Sequence, residues 1–156
     1  MCSKATRAMA QVWGIGERKF RDNFKIRMLM FNSIVKGILM YGSEIWGWKE
    51  RKIVESVQLK YLKWILGVSK TTPNYIVLEE TKTYKIRIDT GYRAFHYEEK
   101  IVKNSEKQLL SACWKEMLWR HERKKETKRD KERRSYLERN GYGVIGVRDS
   151  ETKIKT

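Results

Sequence analysis

Proline occurs once in 156 residues, at Pro73, and cysteine twice, at Cys2 and Cys113. Proline is costly inside helices, so its scarcity favours an all-helical chain. Two cysteines so far apart build no disulfide framework. They point to a reducing, intracellular compartment, nucleus or cytoplasm. The N-terminus carries no apolar signal core behind a basic start. The longest apolar-rich stretch, residues 24–41, is broken by Lys25, Arg27, Asn32, Ser33 and Lys36. That pattern excludes a membrane span and predicts a buried helix. Aspartate is also rare, with Asp22, Asp89, Asp130 and Asp149 the only four. No two are adjacent, so the clustered carboxylates of a two-metal site are missing. His96 and His121 have no partner at zinc-ligand spacing. Cys113 and His121 would stand ~12 Å apart on one helix, too far for a nucleophile–base pair. No metal, no cofactor and no catalysis by this chain alone are expected.

What is present in excess is positive charge. Lys and Arg number 35 against 19 Asp and Glu, a net charge of +16. Residues 1–50 carry +5, residues 51–100 carry +4 and residues 101–156 carry +7. An evenly spread positive field points to a polyanion, most often nucleic acid. The alternative is a helical protein that is merely basic. A charged fraction of 35% and a mean hydropathy of -0.70 are too polar for one compact sphere of this length. The composition predicts a small core with a long solvated helix.

Most of the 10 glycines gather at junctions between periodic segments. Ser3 to Trp13 reads as a short helix with Ser3 as N-cap, ended by a turn at Gly14-Ile15-Gly16. Glu17 to Gly42 reads as the longest apolar helix, with Phe20, Phe24, Met28, Phe31, Val35, Ile38 and Leu39 in period. Ile26, Met30 and Ile34 widen that stripe, so this helix wants neighbours on several sides. Arg18, Lys19, Arg21 and Lys25 would sit at its start, where the helix dipole disfavours cations. An external anion or plain solvation would explain them. Trp46 and Trp48, between Gly42 and Gly47, either seal a corner between helices or stack on bases.

Arg51 to Leu66 is strongly amphipathic. Val54, Val57, Tyr61, Trp64 and Ile65 form one face. Lys52, Ser56, Lys60 and Lys63 form the other, and Gly67 is a natural C-cap. The lysine stripe either tracks a phosphate backbone or is a solvated surface. Thr72 is placed as N-cap with Pro73 at the first helical position. The helix after it is short, with Ile76, Val77 and Leu78. Ile86 and Ile88 alternate with charges, which admits a short extended stretch, but a continuous helix to about Lys103 is the preferred reading, with Gly91 as a flaw and Lys82, Lys85, Arg87 and Arg93 along it. Ser105 to Asn140 reads as one long helix. Residues 120–139 hold 10 Lys and Arg and 5 Asp and Glu, too polar to bury a face, and read as a solvated helix or as a disordered arm that orders on binding. Glu122, Glu126 and Asp130 offer i,i+4 partners to the cations nearby. The whole reads as all-α, a small core of about four helices with a long, highly charged C-terminal helix. The expected divisions are residues 1–104, residues 105–140 and a flexible tail, residues 141–156.

One run of residues goes further than composition. Tyr41-Gly42-Ser43-Glu44-Ile45-Trp46-Gly47-Trp48 follows the apolar helix, and Tyr61-Leu62-Lys63-Trp64-Ile65-Leu66-Gly67 closes the next one. Thr72-Pro73-Asn74-Tyr75 and Gly91-Tyr92-Arg93-Ala94-Phe95 come after. This order resembles the region just downstream of the palm in reverse transcriptases of non-LTR (LINE-like) retrotransposons, especially the jockey-type elements of insects. The resemblance covers about residues 3–103. It implies a thumb and helical linker that grip the template–product duplex of an RNA-directed DNA polymerase. The parent enzyme would use Mg2+ at an aromatic-x-Asp-Asp motif that this chain does not contain. The resemblance therefore implies a non-catalytic piece, binding an RNA–DNA hybrid or duplex without regard to sequence, with the missing polymerase domains as a second candidate partner. The candidate phosphate contacts are Arg18, Lys19, Arg21, Lys52, Lys60, Lys63, Lys82, Lys85, Arg87 and Arg93, with no metal site. The alternatives are a helical protein-interaction module and an inert translated transposon remnant.

Overall fold

The computed structural model describes residues 1–103, 108–123 and 125–141. The expected tail beyond Gly141 and the start of the last helix at Ser105 lie outside them. The described chain is 76% helix with no strand, so the all-α class holds. The helices are shorter and more numerous than about four. They group into two compact units, residues 1–42 with 50–89, and residues 43–49 with 90 onward.

The first unit opens with α1 (Cys2–Lys19), which runs without interruption through Gly14 and Gly16. The expected turn there does not form, and Ser3 lies inside the helix, not at its cap. Gly16 is buried against the helix that follows. A Cβ on it would meet the Arg27 side chain at 3.4 Å. The true break comes at Phe20–Asn23, where Asn23 Oδ1 accepts from the Ile26 N–H at 3.0 Å. An asparagine N-cap of this kind starts a new helix more firmly than the apolar period continues the old one.

That new helix is α2 (Phe24–Met30), a π-helical turn (Phe31–Val35) and α3 (Lys36–Leu39) in succession. Arg27, Phe31, Val35 and Leu39 are all buried, at a constant spacing of four. Four α-helical residues overshoot a full turn by ~40°. The wider π turn takes back part of that drift and keeps the row facing inward. Beside this row, Ile26, Met28, Met30 and Ile38 are half-buried, and the far side is open. Leu29 is 64% exposed and Ile34 46%.

Across from it lies α5 (Lys52–Leu66), ended by Gly67 in the left-handed region at φ 66°. Val54, Val57, Gln58, Tyr61 and Leu62 form its buried face. Tyr61 stacks on Phe31 with centroids 4.6 Å apart, and Trp13 meets its edge at 6.2 Å. Fully burying side chains of this size is worth about 1.5–3 kcal/mol each. The Tyr61 hydroxyl donates to the Arg27 carbonyl at 2.9 Å. Arg27 is itself buried, over the Trp13 ring at 4.3 Å, with Glu17 at 3.1 Å and the Arg21 carbonyl at 3.2 Å.

After α5, the helix α6 (Asn74–Glu80) has Pro73, not Thr72, at its N-cap. The continuous helix expected from there to Lys103 is broken at residues 81–85, where Lys82 takes φ 49°. The next helix, α7 (Ile86–Lys103), begins afterwards and passes Gly91 without a flaw. Its start belongs to the first unit, where Ile86 is buried and Asp89 pairs with Lys36 at 2.6 Å.

The second unit takes α4 (Ser43–Trp46), the rest of α7, α8 (Gln108–Glu122) and α9 (Lys128–Arg139). The single long charged helix is thus two helices. Thr127 caps α9 in a full capping box with Asp130, and this local competition splits the expected helix. The prediction that residues 120–139 bury no face is also overturned. Leu137 is buried, and Tyr136 packs on Trp48 at 5.4 Å. Trp48 seals a corner, as one of its two readings held. A Cβ at Gly91 would collide with the Tyr136 ring, and one at Gly47 with the carbonyls of Thr90 and Ser43.

Candidate nucleic-acid interface

Charge sets the scene. The first unit holds 16 Lys and Arg against 7 Asp and Glu, a balance of +9. Nine of the ten predicted contacts belong to it, and Arg93 belongs to the second unit. These nine do not share one role.

On α5, Lys52, Lys60 and Lys63 fall within ~80° of arc at 100° per residue, on the side opposite the buried face. Lys52 and Lys60 are exposed and Lys63 half-buried. The Lys60 ammonium lies over the Trp64 ring at 4.9 Å, and Lys63 Nζ donates to the Lys70 carbonyl at 2.8 Å. The two lysines are held by neighbours that leave their charge uncancelled. Lys52 to Lys63 spans ~16 Å along the helix, about five base-pair rises.

The cations of α1 are explained without a ligand. The break at Phe20 puts Arg18 and Lys19 in the last turn of α1, where carbonyl ends favour cations. They do not stand at the start of a helix, so the argument for an external anion there lapses. Arg18 Nε donates to the Gly14 carbonyl at 3.0 Å, and Arg21 pairs with Glu17 at 3.5 Å.

The cations after α6 meet carboxylates. Lys82 is tied to Glu79, which lifts the lysine's pKa and lowers the glutamate's through their hydrogen bond first and charge second. Arg87 pairs with Glu50 at 3.6 Å through its side chain and donates its N–H to Glu55 Oε1 at 2.8 Å. Burial raises the Glu55 pKa, against the pull of the Arg87 and Ile86 N–H groups and then of the Lys85 charge. Lys85 is exposed. In the second unit, Arg93 reaches Glu44 at 3.9 Å.

Sequence reasoning missed a buried polar centre in the second unit. Glu98 is 4% exposed and accepts from Trp48 Nε1 at 3.0 Å and Arg133 Nε at 2.7 Å. Burial pushes its pKa up, and Arg133 opposes the shift. The only advance signal was a tryptophan, whose indole N–H needs a partner when buried. Beside this centre lies a cleft of about 370 Å3, with Ile101, Trp114 and Met117 on its walls and Arg120 and Arg129 at its rim.

Nothing in the described residues fits the Mg2+ that the resemblance implies. Asp89 holds Lys36, Asp130 caps α9, Asp22 lies in the turn before α2, and Asp149 is outside the described set. No group of three or more His, Cys, Asp or Glu among the described residues could hold a metal ion. The side chain of His121 is likewise outside them. No described helix is long and apolar enough to cross a membrane. No protein-family model, curated protein or solved structure matches this chain.

Proposed function

We propose that this chain is a nucleic-acid-binding helical unit that grips a duplex by its backbone, without catalysis, as the thumb region of a non-LTR retrotransposon reverse transcriptase would. The observation that carries the reading is the outer face of α5. Lys52, Lys60 and Lys63 form one stripe on a helix whose opposite face is fixed in the core. A rigid row of uncancelled cations suits phosphates and reads no bases. Binding is then independent of sequence and falls steeply with salt. The test is duplex affinity across a salt series for the chain and for Lys60→Glu with Lys63→Glu. The expected result is a uniform loss on all sequences and a salt slope reduced by about two. An unchanged slope removes α5 from the interface.

A second reading has its own support. Leu29 and Ile34 leave the far side of the α2–α3 helix uncovered. That favours a protein-interaction module packing against further polymerase domains. A defined oligomer that ignores nucleic acid would favour it over the first reading.

A further inference from the structure

The turn between α6 and α7 is unusually well fixed for a surface turn. The Thr81 hydroxyl donates to the Val77 carbonyl at 2.7 Å and lies 2.8 Å from that of Thr83. The Thr83 N–H reaches back to the Leu78 carbonyl at 3.0 Å. Lys82 sits in the left-handed region at φ 49°, uncommon for a residue with a side chain. Gln58, buried in α5, donates from Nε2 to the Tyr84 carbonyl at 2.9 Å. Two residues on, Ile86 is buried completely. The Tyr84 backbone is therefore held on both sides, yet the residue is 77% exposed.

Burying that ring would have been favourable, and the turn holds it out in solvent. A ring on a fixed backbone has only its own rotamers left to lose on binding. Every nucleobase offers a flat face to such a ring. The basic residues flanking it have local partners. Lys82 is tied to Glu79, and Lys85 lies near Glu55. The patch around Tyr84 is thus nearly balanced in charge, unlike the α5 stripe. Its attraction would come from stacking.

We infer that Tyr84 is a stacking platform for an unpaired nucleobase. The inference deepens the nucleic-acid reading and rests on it. It assigns the first unit a single-stranded segment as ligand in addition to a duplex backbone. A stacking contact tolerates any base and persists as salt rises, whereas phosphate contacts fade.

The experiment uses the full chain with a short single strand carrying 2-aminopurine and with a duplex of the same length, across a salt series. The variants are Tyr84→Ala, Tyr84→Phe and Tyr75→Ala. Tyr75 is the internal control, a tyrosine 73% exposed on α6 without basic neighbours in sequence. The expected result is about a tenfold loss of single-strand affinity in Tyr84→Ala, constant across salt. Quenching of 2-aminopurine would disappear with it. Tyr84→Phe would keep both, and Tyr75→Ala and duplex affinity would be unchanged. Three results overturn the inference: no single-strand binding by the wild type, equal losses on strand and duplex, or a Tyr84→Ala strand affinity like wild type. Duplex binding that persists in each case leaves the α5 reading standing. Binding to neither ligand removes both.

Discussion

Gly47→Ala should unfold the second unit far more readily than its single added methyl suggests. The Gly47 N–H donates to the Ser43 carbonyl at 2.7 Å, closing α4. A methyl at Gly47 would drive into that carbonyl and into the Thr90 carbonyl of α7. Both obstacles are main chain, so no rotamer change relieves the overlap and the helix backbones must separate. Overpacking of ordinary cores costs about 1–3 kcal/mol. Here the shift also drags Trp48, the next residue, away from Glu98 and Tyr136. A buried tryptophan removes on the order of 200 Å2 from water, about 5 kcal/mol at 25 cal/mol per Å2. Losing part of that places the total near ~3 kcal/mol. Urea unfolding followed by tryptophan fluorescence would show a midpoint about 2 M lower for a typical slope of ~1.5 kcal/mol per M. Gly14→Ala and Gly37→Ala are the controls, because a Cβ at either meets nothing within 4 Å. Both lie inside helices and should gain about 0.5–1 kcal/mol. Gly47→Ala as stable as wild type would refute the close approach of α7.

Other outcomes follow from the first unit. Tyr61→Phe should cost about 1 kcal/mol in chemical denaturation, since its hydroxyl bond to Arg27 is buried. The cost stays at the low end because the Arg27 carbonyl keeps the Phe31 N–H as partner. Glu55 has its pKa raised by burial, so its favourable protonated form is lost as pH climbs through that raised value. Its contribution to stability therefore falls from the ordinary carboxylate range upward. Glu55→Gln keeps an oxygen for the Arg87 N–H and should flatten that fall in pH-dependent denaturation. An undiminished slope in the variant would assign the effect to other groups.

What was legible in the sequence was whatever a local period or a local cap decides. The bounds of α5 could be read, because its apolar period and the left-handed stop at Gly67 are local, but its buried face includes Gln58 and Leu62 while the expected Trp64 and Ile65 are only half-buried. Glycine misled where it served packing. Gly91 makes room for Tyr136, and neither it nor Gly16 ends a helix. The actual breaks came from side-chain caps, Asn23 and Thr127, hidden among charged neighbours. The buried face of α9 was illegible for another reason. Arg133 is drawn inward only by Glu98, which stands 35 positions away. The same holds for the candidate interface. The α5 stripe followed from spacing alone, but Arg87 and Arg93 meet Glu50 and Glu44 only once the chain is folded. Arg21 with Glu17 and Lys82 with Glu79 were within reach at i,i+4 and i,i+3.

The carboxylate at the centre of the second unit has a thermal consequence. Exposing hydrocarbon raises the heat capacity of unfolding, and exposing polar groups lowers it. The first unit opens a large core of stacked rings and aliphatic chains around one buried guanidinium, Arg27. Among the described residues the second opens Glu98, Arg133 and an indole N–H beside Ala94, Leu137 and the Trp48 ring. Its heat-capacity increment per residue should therefore be the smaller, and its stability curve flatter. Calorimetry with Gly47→Ala as the marker for the second unit would separate the two. Cooling would weaken the first unit while leaving the second almost untouched.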